Sequence, residues 1–333
     1  MPIALLVFQF SWASAQVNKP VTIFDTIYHS DLDLVELHLN IDTMLANKFN
    51  NEKQDGQLSI ISGDRTINLP VGISVRSKSR RRYCDFPPLK LDFVKSDLEA
   101  VGLDNEDEYK VVTHCLDQKI GEELLLKEYL IYELYRIITP MSLRAKLLDL
   151  VYVDDTREER ISKKAILLES EKEFAKNNGG KLCNCMGTSP DSLDGRNMEI
   201  VAMFQYMIGN SDMDYKVERN VTLIKPEDGG PWHSVAYDFD FSSFVNAPYV
   251  HPKVVDNRQI KRVYLGFRQN ASLLPEVINL FLSKEDQIYA CIDNFDMISN
   301  KERRNCLKYI KEFYSEIKQE DFAFPYQVNL NGH

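Results

Sequence analysis

Apolar and polar positions alternate over Leu34 to Ile41, Gln57 to Ser62 and Ile67 to Arg76, and β-branched residues recur from Val21 to Tyr28. A period of two predicts a strand at each. Gly63-Asp64 supplies a turn, and Pro87-Pro88 breaks the chain before another short strand, Leu89 to Phe93. This first stretch reads as mostly antiparallel sheet. From Gly121 to Ile138 the period changes: Leu124, Leu125, Tyr129, Tyr132, Leu134 and Tyr135 recur at helical spacing, with Glu122, Lys127, Glu128, Glu133 and Arg136 between them. Thr139-Pro140 ends this helix. Leu147 to Val153 and Ala165 to Leu168 are predicted strands joined through the charged turn Asp154 to Arg160, and Glu171 to Lys176 is a short helix.

The second half is predicted to be helical at Met198 to Ile208, Leu273 to Leu282, Glu285 to Asn294 and Lys301 to Ile317. Residues 209–248 interrupt it with two acidic clusters, Asp212/Asp214 and Asp238/Asp240. Two apolar runs, Val221 to Ile224 behind Asn220 and Val235 to Tyr237, suggest the strands of a hairpin that presents oxygen atoms at its ends. Strand alternation would set Asp238 and Asp240 on one face and turn Phe239 and Phe241 into the core. Two carboxylates so close repel unless a cation sits between them. The layout predicts an α+β, two-lobed arrangement: a sheet-rich N-lobe over residues 16–170 and a helix-rich C-lobe over 171–333.

Composition adds limits. The chain has 333 residues, 27% charged and 44% hydrophobic, with a formal charge of -10, so it is globular and lacks the general basic field of a nucleic-acid binder. The N-terminal Ile3 to Phe10 run followed by Ala13-Ser14-Ala15 predicts a signal peptide over residues 1–15, and hence a periplasmic or secreted protein. No later stretch is apolar enough for a membrane span. Six cysteines fit an oxidising compartment; Cys291 and Cys306, on helices joined by a turn, could face each other, while Cys183-Asn184-Cys185 is half a zinc pattern without its second half.

Hard oxygen ligands at a hairpin end suit magnesium and phosphoryl transfer. On a protein-kinase template the parts fall in order along the chain. Lys90, on an early strand, would reach the phosphates of ATP, and Glu128 on the long helix would orient Lys90. Ile166 to Ser170 would face the adenine. Asp212 would accept the proton of the attacking hydroxyl, with Asp214 an alternative acid. Asn220, Asp238 and Asp240 would hold Mg2+. The basic run Arg76 to Arg82 is either a solvated turn or a phosphate-facing loop in which Ser77 and Arg80 contact the nucleotide.

These segments resemble the CotH family of kinase-like proteins. The matching pieces are VGISVRSKSRR with FPPLKLDF, LLKEYLIYELYRIITPMS, MFQYMIGNSDMD and VAYDFDFSSFVNAPY, together spanning Val71 to Tyr249 in the family's order. The resemblance implies a two-lobed protein-kinase-like fold that uses ATP and Mg2+ to phosphorylate protein hydroxyls outside the cytoplasm, or a pseudokinase or cell-envelope binding module of the same fold. The chain departs from the family at Ser77, where glycine is usual, at Lys90, which follows Pro-Pro-Leu, and in the eight-residue step from Asp212 to Asn220.

Overall fold

The computed structural model describes residues 21–320 apart from 33, 51, 184, 251–252 and 256–257, together with 322 and 324. The predicted signal peptide lies outside these residues.

The strands β1 (Leu34–His38), β2 (Gln54–Ser62), β3 (Arg65–Val75), β4 (Leu89–Phe93), β5 (Glu108–Val112), β6 (Ala145–Asp154) and β7 (Glu159–Leu168) form a closed barrel in the order β1-β2-β3-β4-β5-β7-β6. All neighbours are antiparallel except β1 and β6, which pair in parallel with Leu37 opposite Tyr152. This ring corrects the two-lobed kinase arrangement expected from the sequence, with its sheet-rich N-lobe and helix-rich C-lobe. Two features close it. The parallel β1–β6 pairing removes the free edges an open sheet would leave, and β5, absent from the predicted strands, bridges β4 and β7. Its interior is apolar, filled by side chains such as Leu37, Ile60, Ile73, Leu91, Leu150 and Leu167.

The predicted strand at Val21 to Tyr28 is instead helix α1 (Ile23–His29). The hydroxyl of Thr22 accepts from the Asp25 amide at 2.9 Å, and Ile23, Phe24 and Ile27 are buried, a helical spacing hidden in an apolar run. Further short helices are α2 (Ile41–Ala46), α3 (Arg80–Tyr83) and α4 (Lys95–Ala100). Helix α5 (Lys119–Ile138) packs against β6 and β7. It is buried nearly all round rather than along one stripe, which puts Lys127 and Glu128 inside, where each needs a partner.

After α6 (Glu171–Asn177), a second sheet in the order β10-β9-β8 is built from β8 (Gly180–Cys183), β9 (Val221–Pro226) and β10 (His233–Ala236). Helix α7 (Gly195–Ile208) precedes β9, and a small hairpin, β11 (Lys253–Val255) with β12 (Arg258–Ile260), follows β10. The chain then runs through α8 (Leu274–Ser283), α9 (Glu285–Asp293) and α10 (Asn300–Ile317). Helices α5, α7, α8, α9 and α10 share one hydrophobic cluster.

Disulfides join Cys84 to Cys115 and Cys183 to Cys185, whereas Cys291 and Cys306 are free thiols. The Cys183–Cys185 bond uses both sulfurs of the half zinc pattern. Among the described residues no helix is long and apolar enough to cross a membrane.

Candidate functional site

Helix α7 ends on Gly209, whose φ of 65° is left-handed. A Cβ there would stand 2.3 Å from the Lys261 carbonyl oxygen, so glycine is required for this close approach as well as for the turn. The fully buried Asn210 follows, and its side-chain oxygen accepts from the Asp212 amide at 3.0 Å, which fixes the course of the chain into Asp212. Residues 214–219 then loop out and close on themselves, because Asp214 and Arg219 exchange backbone hydrogen bonds of 3.0 and 2.9 Å. That closure returns Asn220 to Asp212. The Asn220 amide donates to the Asp212 carbonyl at 2.6 Å and to its carboxylate at 3.1 Å, while Arg219 Nε lies 3.2 Å from the other carboxylate oxygen. Asp212 is thus gripped on two sides yet keeps 34% side-chain exposure.

Strands β9 and β10 pair antiparallel with Val221 opposite Ala236, so the start of one and the end of the other lie together. The Tyr237 amide donates to the Asn220 carbonyl at 3.1 Å, which sets Asp238 at the same hairpin end as Asn220. Strand alternation does not reach the acidic pair, because β10 stops at Ala236 and Asp238 is left-handed at φ 63°. The Asp238 amide donates to the Tyr132 hydroxyl at 3.0 Å. Phe239 turns inward, as alternation predicted, onto Tyr132, Tyr135 and Phe204 at ring separations of 4.9, 6.0 and 5.8 Å. Phe241 is only partly buried, against Tyr249. The ring of Phe239 anchors a segment whose flanking carboxylates cannot themselves be buried cheaply.

Those carboxylates meet Arg80. Its Nε donates to Asp240 at 2.7 Å, and Nη2 donates to Glu128 at 2.8 Å and to Asp238 at 3.0 Å. The guanidinium is 3% exposed. Burial would lower its pKa, but Asp240, Glu128 and Asp238 together raise it well above the ordinary value, so it stays charged. Burial pushes Asp240 up to about 8 against the pull of Arg80, and pushes Glu128 up as well. For Asp238 the burial effect is outweighed by Arg80 and Arg76, which hold it below the usual carboxylate range. Arg80 reaches the cluster from α3, and just before that helix Ser77 Oγ accepts from the Arg80 amide at 3.3 Å. The Cys84–Cys115 disulfide ties the end of α3 to the chain beyond β5. Ser77 adopts φ 68°, a left-handed geometry that suits the glycine usual in the resembled family.

Two further basic side chains line this end of the hairpin, and burial lowers the pKa of one of them, Lys110, well below the ordinary lysine value. Arg76 Nη2 lies 3.6 Å from Asp238 with 16% exposure, and no hydrogen bond engages its guanidinium among the described residues. Lys110 on β5 pairs with Glu171 and places its ammonium 4.1 Å from the centre of the Tyr237 ring.

The sequence-predicted residues divide accordingly. Asp212 and Asn220 come together, and Glu128, Asp238, Asp240 and Arg80 come together beside them. Lys90 does not join them. It sits opposite Lys110 in the β4–β5 register and pairs with Glu108 at 2.5 Å, both side chains more than a third exposed. Glu128 therefore orients Arg80, not Lys90. Ser77 Oγ is occupied by the Arg80 amide and the Ser79 hydroxyl. Arg76 was read only as part of the basic run Arg76 to Arg82, Lys110 was not singled out from the sequence, and Arg219 was passed over inside the loop. For Lys110 the only available signal was the apolar alternation of Tyr109, Val111 and Val112, which marks β5.

Asp238, Asp240 and Asn220 do not fit Mg2+ as a set. Asp240 Oδ2 already accepts from Arg80 and, at 3.2 Å, from the Tyr249 hydroxyl. Among the described residues no group of three or more His, Cys, Asp or Glu gathers to hold a metal ion. Adenine contact at Ile166 to Ser170 is limited by burial: all five residues are enclosed, and Ser170 Oγ donates to Glu106 at 2.7 Å.

No family model and no curated protein matches the chain. A crystal structure of a Helicobacter pylori proinflammatory kinase, CtkA, is similar over 71% of this chain and 94% of that one, with 10% sequence identity and a TM-score of 0.41. A similarity of that size carries no argument about this chain.

Proposed function

We propose that this chain binds ATP by its phosphates and passes the terminal phosphoryl group to a hydroxyl, the acceptor being a protein side chain. The observation that carries the reading is Arg76. A mostly enclosed guanidinium that pairs with Asp238 at 3.6 Å and makes no side-chain hydrogen bond among the described residues has donors left for an anion, and a phosphate matches its planar fork. Lys110 lies near Asp238 as well, but burial lowers its pKa well below the ordinary lysine value, so the charge offered to a phosphate is that of Arg76. Asp212, held by Asn220 and Arg219 and open to solvent, stands at the same hairpin end. In the proposed step the acceptor oxygen bonds to the terminal phosphorus, the bond from that phosphorus to the bridging oxygen breaks, and ADP leaves. The acceptor proton goes to the Asp212 carboxylate. Arg76 offsets the charge on the phosphate oxygens, and the grip on Asp212 fixes its distance from the acceptor.

A second reading is nucleotide binding without transfer, as in a pseudokinase. It is favoured by Arg80, which takes up the carboxylates a metal-dependent phosphotransferase would use. Incubation with ATP labelled in its terminal phosphate separates the two. Incorporation by the natural chain that drops to background in Asp212→Asn, with ATP binding retained, supports transfer. Binding that is abolished by Arg76→Ala, with background incorporation throughout, supports the second reading. Binding of ATP unaffected by Arg76→Ala refutes both.

A further inference from the structure

A cavity of about 400 Å³ opens beside the chain that follows Asp240, where Lys127 of α5 and Glu302 of α10 meet Ser242. Lys127 adjoins Glu128 in the chain, so the cavity shares two segments with the Arg80 cluster but none of its side chains. The walls carry two basic side chains, Lys127 and Lys261, against the single carboxylate of Glu302, in a chain of formal charge -10. The Lys127 side chain is 5% exposed and pairs with Glu302 at 3.3 Å. An ammonium has three donors, and among the described residues no second acceptor engages this one. The other oxygen of Glu302 accepts from Asn305 at 3.0 Å. The fully buried Ser242 Oγ accepts from the Val245 amide at 3.2 Å, which leaves its O–H to donate. Donors thus outnumber free acceptors on the polar wall, while Phe244, Val250 and the ring of Tyr309 supply apolar surface. Lys261 is more exposed and pairs with Glu312 at 3.1 Å. A buried ammonium with spare donors beside apolar walls calls for an enclosed acceptor.

We propose that this cavity binds a small organic carboxylate, with its anionic end on Lys127 and Ser242 and its apolar body against Phe244, Val250 and Tyr309. The volume lies within the range usual for ligand pockets, about 300–1,000 Å³. A single negative charge suits the polar wall, because Glu302 already offsets part of Lys127 and would repel a dianion such as a phosphate monoester. The proposal is independent of phosphoryl transfer, since none of Arg76, Lys110 and Asp212 lines the cavity.

The test is calorimetric titration without nucleotide, using benzoate, its neutral counterpart benzyl alcohol, and inorganic phosphate. The natural chain is expected to bind one benzoate with a dissociation constant of roughly 1 mM or tighter, and each of the other two at least about tenfold more weakly. Lys127→Met, which keeps the length of the side chain, should weaken benzoate by about tenfold or more. Lys261→Ala, at an exposed position, should weaken it by roughly twofold to threefold. Val250→Trp, at a partly exposed position, should fill the cavity and abolish binding while the melting temperature is kept. The proposal fails if the natural chain does not bind benzoate, if benzyl alcohol or phosphate binds as tightly, or if Val250→Trp binds like the natural chain. It fails equally if folded Lys127→Met keeps full affinity. Should that variant not fold, unchanged affinity in Lys261→Ala overturns the assignment instead.

Discussion

The side-chain amide of Asn220 donates to Asp212 twice, to its carbonyl oxygen at 2.6 Å and to its carboxylate at 3.1 Å. Asn220→Gly keeps the left-handed backbone at φ 55° and deletes only this grip. Phosphoryl transfer is expected to fall by about tenfold to a hundredfold, because the carboxylate loses its fixed position. Asn220→Ala should lose as much activity and, in addition, on the order of 1–2 kcal/mol of stability to left-handed strain. Initial rates and urea midpoints for the pair separate the two effects.

Arg76→Ala removes a charge that pairs with Asp238 and, among the described residues, makes no side-chain hydrogen bond. Because Arg76 helps to keep the mostly buried Asp238 carboxylate charged, its loss should also cost on the order of 1–3 kcal/mol of stability. ATP affinity, measured by calorimetric titration, should fall by roughly tenfold or more for the loss of a charge-assisted phosphate contact. A large loss of stability with unchanged affinity would assign Arg76 to the fold instead.

Acid–base behaviour should centre on Asp240, which burial pushes up from 3.8 to about 8. Between those values the folded chain holds a proton that the unfolded chain has released. Its contribution to stability is therefore complete below the lower value and is lost as pH rises through the upper one. Glu173, also pushed up to about 8 by burial, acts with the same sign. Urea midpoints taken between about pH 5 and about pH 9 should fall with rising pH, and Asp240→Asn should flatten the fall without abolishing it. An unchanged slope in that variant would remove Asp240 from the account.

The Cys84–Cys115 bond spans 31 residues and anchors the far end of α3. Loop-closure entropy for that span predicts that the Cys84→Ser, Cys115→Ser double variant loses about 3–4 kcal/mol. Because α3 also carries Arg80, the double variant should titrate Asp240 differently from the natural chain, which carboxyl-labelled NMR can read. Loss of stability with an unchanged carboxyl titration would show that Ser77 alone places the guanidinium.

Local patterning made most elements legible. The hairpin of β9 and β10, the long buried α5 and the strands of the β2–β3 hairpin all follow from period and turn residues. Ring closure was not legible, since the β1–β6 pairing links Val35 to Leu150 and no local signal records a partner so distant. The acidic residues could be found because they cluster in the chain, and the need for a cation between Asp238 and Asp240 followed from their charge. That the cation is Arg80 depends on a four-residue helix held by the Ser77 hydroxyl and a disulfide, which composition cannot reveal. Lys90 and Lys110 are cross-strand neighbours of the same residue type, and what tells them apart is spatial: Lys90 pairs with Glu108, whereas Lys110 pairs with Glu171 and lies over the Tyr237 ring.

The parallel seam between β1 and β6 also governs how the barrel can be made. β1 can pair with β2 as soon as the hairpin partner is synthesised, but its other edge stays bare until Leu150 and Tyr152 emerge. Contact order is therefore concentrated in one joint, and closing that joint is expected to limit the rate at which the barrel forms. During that interval the nascent chain exposes one apolar strand edge, the surface most open to pairing with a neighbouring chain.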